Sequence, residues 1–174
     1  LDLPDSAWDV AVEGGYAYQE VRQGTVEGRD FRQHLAHAQH AWMLGDLPHN
    51  MLRSRVEASE QDGYLDQRLV RWDETLTGRL YPTLDGDAQL HAERNETTLL
   101  DMTILSGNAG LRHRLYESLT TSLWIHGGRV SVDDASTDDT AGGLLGLDYR
   151  KRPPLGVYRC SYTNWLERRW VTND

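Results

Sequence analysis

The sequence predicts an α+β fold that is predominantly α, a bundle of five or six helices with a small C-terminal antiparallel β-sheet. Two observations predict the bundle: apolar side chains recur at three- and four-residue spacing between residues 29 and 125, and glycine, proline or Asp-Gly punctuation separates the repeats. A third predicts the sheet. From Arg129 the pattern becomes alternating, with a period of two. On this reading residues 1–128 form a helical domain and residues 129–174 a β-rich extension.

The clearest helical pattern lies at Arg29–Gly45. At about 100° per residue, Phe31, Leu35, Ala38 and Trp42 fall within roughly a 60° arc, as a core-facing stripe requires. Asp30 supplies a cap, and Gly45 with Pro48 a stop. Before it, Ser6 and Asp9 have capping-box-like spacing, and Gly14-Gly15 breaks the short helix they would start. After Pro48 a peripheral helix spans Asn50–Gln61. A stronger one follows, its seam formed by Leu65, Leu69, Trp72, Leu76 and Leu80.

Beyond the Tyr81-Pro82 turn, Ala88–Leu105 reads as a helix entering the centre of the bundle, and Gly107 as its cap. Leu111, Leu115, Leu119 and Leu123 mark another, with Arg112, His113 and Arg114 crowded at its start. Arg129–Asp133 then reads as a strand, Asp133–Thr140 as a polar loop, Leu155–Tyr162 as the best strand, and Asn164–Trp170 as a last helical turn.

The charge of −9 resides entirely in residues 1–128, which carry 20 acidic and 11 basic side chains. That balance disfavours nucleic acid and anionic membrane surfaces, both of which need a basic footprint. No apolar run approaches the 18 residues of a membrane helix. Cys160 is the single cysteine, so an intramolecular disulfide is excluded and a cytoplasmic, soluble protein is expected.

Catalytic signatures are absent: there is no GxSxG, GxGxxG, Walker loop, HExxH or zinc-finger spacing, and no catalytic residue is assigned. The favoured reading is a noncatalytic partner or adaptor subunit that docks on another protein and presents an edge strand to a peptide or to that partner. Arg150, Arg152, Tyr158, Tyr162 and Trp165 are its candidate contacts, since arginines and aromatics anchor interfaces. Arg112 and Arg114 are candidate contacts for an anion or carboxylate. The alternative is a helical metal or heme protein using His34, His37 and His40, with Glu93 from another helix completing a shell for iron, zinc or copper. At i, i+3 and i+6, however, the three histidines spread over about 120° of a helix, too wide to converge on one ion.

Overall fold

The computed structural model describes residues 10–21, 31–44, 50–63, 66–133 and 135–173. Its elements are β1 (Val10–Val21), β2 (Phe31–Met43), β3 (Met51–Gly63), β4 (Gln67–Tyr81), β5 (Leu84–Thr97), β6 (Asp101–Tyr116), β7 (Leu119–Val132), β8 (Ser136–Lys151) and β9 (Tyr158–Asn173). They form one sheet in sequence order, each strand antiparallel to the next. Among the described residues β1 and β9 are each paired on one side only.

The helical expectation is therefore overturned: the described chain is all-β, with no helical bundle. The described residues of the stretches read as helix lie in strands or the turns between them: Ala88–Leu105 crosses from β5 into β6, Leu111–Leu123 from β6 into β7, and Asn164–Trp170 is within β9; Leu65 and the caps Ser6, Asp30, Gly45 and Pro48 fall outside the described residues. The alternation seen at Arg129–Asp133 belongs to β7, which runs through position 128 without interruption. Of the expected polar loop, Ser136–Thr140 is already the start of β8. Position 155 lies in the turn before β9, so the last strand starts later and runs further than expected.

The reason is that a spacing of four satisfies both periods. Trp72, Leu76 and Leu80 mark one stripe of a helix, but they also share one face of a strand, with Glu74 and Gly78 between them masking the alternation. Phe31 and Leu35, by contrast, lie on the opposite sheet face from Ala38 and Trp42, so the supposed stripe is split.

Strands of 12 to 16 residues exceed the three to ten usual in globular proteins. They are joined by tight connections: Pro82-Thr83 turns between the paired Tyr81 and Leu84, and Glu117-Ser118 between Tyr116 and Leu119. Proline fits there because no ladder hydrogen bond needs its missing N–H. Irregularities in register at Arg79–Tyr81 and Arg114–Tyr116 place one extra residue beside each turn.

A single sheet has no second layer, and no hydrophobic side chain among the described residues is buried. The accessible surface is 13359 Å², against about 8,600 Å² for a compact chain of this mass. Close packing occurs only within the sheet. A β-carbon at Gly110 would lie 2.6 Å from the ring of Trp124, its partner on β7; the absence of a side chain lets the indole lie flat across the strand. His126 lies over Gly142 in the same way. These aromatic–glycine pairs hold register where β-branched neighbours are missing.

Gly110→Val should displace Trp124 and cost about 1–3 kcal/mol, the usual penalty of overpacking, read as a lower urea midpoint. Adding Trp124→Ala should recover part of that loss, as coupling of two touching residues requires.

Candidate functional site

The register divides the sheet into two chemically unlike faces. One carries the even positions of β1 to β5, the odd positions of β6 to β8 and the even positions of β9. On β5 it presents Leu84, Gly86, Ala88, Leu90 and Ala92; on β7, Leu119, Thr121, Leu123, Ile125 and Gly127; on β8, Ala141, Gly143, Leu145, Leu147 and Tyr149. Each of these runs is nine residues long, about 30 Å along the strand. Large side chains here are open: Val12 is 76%, Ile125 57% and Leu166 76% exposed. An apolar patch this large marks a surface that something covers.

The apolar band has defined borders. At one end lies a charged rim of ion pairs: Arg32–Glu20 at 3.8 Å, Arg68–Glu60 at 2.8 Å, Arg94–Glu96 at 2.5 Å and Arg129–Asp139 at 2.7 Å. Arg168 joins it, stacked 5.0 Å over the Trp170 ring. At the other end, by the tight turns, stand Trp42, Tyr81, Tyr116, Tyr149 and Tyr158. The last two meet edge to face at 6.0 Å. Between these borders Glu74 is the one Asp, Glu, Lys or Arg on this face among the described residues. It accepts a hydrogen bond from the Trp72 indole N–H at 3.1 Å, which Ser54 Oγ also accepts.

The opposite face is polar along its height. On β5 it shows Asp85, Asp87, Gln89, His91, Glu93 and Asn95 without interruption. Many charges there are paired: Arg71 with Glu93 at 2.7 Å, His91 with Asp73 at 2.6 Å, Arg79 with Asp85 at 3.0 Å, Arg159 with Asp148 at 2.9 Å, and Arg169 with Asp138. Gln39 donates to Glu13 at 2.6 Å. The sheet is thus two-sided in chemistry, with one largely apolar face and one largely polar face.

The expected metal ligands are not brought together. His34 and His40 lie on the apolar face and His37 on the polar one; Glu93 stands three strands away, held by Arg71. His34 instead meets the Tyr16 hydroxyl at 2.6 Å. Among the described residues no group of three or more His, Cys, Asp and Glu side chains is arranged to hold a metal ion.

A row of Asp73, His91 and Ser106 crosses β4, β5 and β6 on the polar face. It superficially matches a nucleophilic triad. The serine, however, makes no hydrogen bond to the imidazole, whose Nε2 lies 3.8 Å from Glu93, and the surrounding backbone N–H groups are committed to the ladder.

The candidate partner contacts cluster around the β8–β9 connection but not on one surface. Tyr158 and Tyr162 are on the apolar face, Arg150 and Trp165 on the polar face, and Arg152 in the exposed turn. Arg112 and Arg114 both project from β6 on the polar face. Sequence reasoning missed the band itself, and the uninterrupted polar series at odd positions 85–95 was the signal that carried it. No family model, curated protein or solved structure matches the chain.

At the rim, the Arg129 guanidinium holds the Asp139 carboxyl below the usual carboxylate range, and Arg169 does the same for Asp138. A depressed folded pKa stabilises the folded form above the unfolded value, near 3.9. Acidification through the lower, folded pKa should therefore release the start of β8, seen as faster amide exchange at Thr137–Thr140, and Asp139→Asn should remove part of this response.

Proposed function

We propose that this chain is a noncatalytic structural unit, a segment of the wall of a membrane-spanning β-barrel whose apolar band meets lipid and whose polar face lines the interior. The observation that carries this reading is the nine-residue apolar run on β5, β7 and β8 between a charged rim and an aromatic border. Strands of about 9–11 residues tilted near 45° cross a bilayer, and a lipid-facing band is about 25 Å tall. The run of about 30 Å, tilted by about 40°, projects to roughly 23 Å. Aromatic side chains at the border match the interfacial girdle of such walls.

Among the described residues no helix is long and apolar enough to cross a membrane. That statement concerns helices; in the sequence a membrane is disfavoured on helical length and on the acidic charge balance, and neither bears on a strand wall with a nearly uncharged lipid-facing band. In lipid a backbone must satisfy every N–H and C=O, which a sheet achieves only when its edges are paired.

The edges give the partner reading its place. Among the described residues β1 and β9 each have one neighbouring strand, and strand addition at their outer edges is the docking mode that supports an edge-presenting, noncatalytic subunit. Direct closure of β1 on β9 would join two strands running in the same direction, because both are odd-numbered in an alternating meander. An added strand restores antiparallel pairing. A protein or peptide supplying that strand is the partner this reading requires.

The test is refolding of the full chain into phosphatidylcholine vesicles. Ile125→Arg should destabilise the inserted form by about 2–4 kcal/mol, as a mid-band cation facing lipid does. Thr163→Arg, on the polar face of β9 opposite Gly146, should change it by less than 1 kcal/mol. Equal effects, or a native chain that stays folded in the aqueous phase without lipid, would contradict the membrane reading.

A further inference from the structure

The polar face is not uniform in charge. At its turn end, five arginines, Arg79, Arg112, Arg114, Arg150 and Arg159, gather on strands β4, β6, β8 and β9. Three carboxylates oppose them, Asp85, Asp87 and Asp148, two of which are already engaged by Arg79 and Arg159. The belt is therefore net positive in a chain of net charge −9. Arg150 and Arg159 stand directly opposite each other across the β8–β9 ladder, a like-charge pairing that destabilises a sheet unless an anion offsets it.

Within this belt Arg112 and Arg114 have no carboxylate at ion-pair distance among the described residues. The Arg114 guanidinium donates to the Pro82 carbonyl, at 3.3 Å. Two residues apart on one strand, their guanidiniums start about 7 Å from each other on the same face. Their register partners on β7 are Ser122 and Thr120, which place a hydroxyl beside each cation, while across β5 Arg112 stands opposite Asp85, whose carboxylate Arg79 already engages. Arg79, Asp85, Arg112, Arg114, Thr120 and Asp148 border an open hollow of about 470 Å³, with Arg159 completing it.

We propose that this hollow is a binding site for oxyanions of the phosphate class, with Arg112 and Arg114 as the recognising pair. Guanidinium forks match the tetrahedral oxygens of phosphate and donate charge-assisted hydrogen bonds to two of them at once. A diphosphate group suits the span between the two cations better than a single carboxylate. The site uses only the division of the sheet into faces, and holds whatever covers the apolar band.

The probes are inorganic pyrophosphate, inorganic phosphate and acetate, titrated at constant ionic strength into the full chain in nonionic detergent. Binding is read from the side-chain Nε–H resonances of the arginines. Pyrophosphate should shift Arg112 and Arg114 saturably and bind most tightly, phosphate should follow, and acetate should bind at least tenfold more weakly. Arg112→Gln with Arg114→Gln should weaken pyrophosphate at least tenfold, whereas Arg94→Gln, at the rim beside Glu96, should leave it unchanged. Where the double variant loses its sheet ellipticity, the native resonances decide alone. Nonsaturating shifts, shifts as large at Arg94 and Arg129 as at Arg112, or native affinity in a folded double variant would overturn the site. Such a failure leaves the membrane reading intact, since that reading rests on the other face.

Discussion

A one-layer sheet has no interior of its own, and every other feature of this molecule follows from that constraint. Backbone pairing fixes the strands beside each other, but it cannot remove side chains from contact with the surroundings on either face. With one face apolar over nine residues on β5, β7 and β8 and the other largely polar, the sheet leaves that apolar surface open to its surroundings. The ladder hydrogen bonds alone contribute modestly in water, because the unfolded chain satisfies the same groups with solvent.

The two faces divide the electrostatics accordingly. Ion pairs on the polar face occur at all heights, as in Arg71–Glu93 near the middle and Arg169–Asp138 towards one end. On the apolar face they are confined to the rim. A mixed distribution would have argued for water on both sides. Glu74 is the exception, and its carboxylate is attended by the Trp72 indole, the accommodation an ionisable group requires when its neighbours cannot solvate it.

Part of this architecture was legible from residues alone. The alternation from Arg129 to Val132 was read as strand, and it lies in β7. The rest was hidden by two physical coincidences. Small residues occupy much of the apolar face, so Gly86, Ala88 and Ala92 dilute the period of two on β5 and leave Leu84 and Leu90 six residues apart. Turn residues such as Tyr81-Pro82 are equally good helix ends. Counting the polar parity instead of the apolar one resolves β5 at once, because every odd position from 85 to 95 is polar. The histidines at 34, 37 and 40 were grouped by a helical repeat that the backbone does not have, and the pleat sends the middle one to the other side.

Spin-label scanning along β7 in lipid vesicles addresses the division of faces most directly. Nitroxides at positions 122 to 128 report collision with oxygen, which concentrates in lipid, and with a water-soluble nickel chelate. Oxygen contact should peak at 123, 125 and 127 and nickel contact at 122, 124, 126 and 128, the two profiles alternating out of phase. Profiles that rise and fall together, or that repeat every three to four residues, would contradict a lipid-covered strand face.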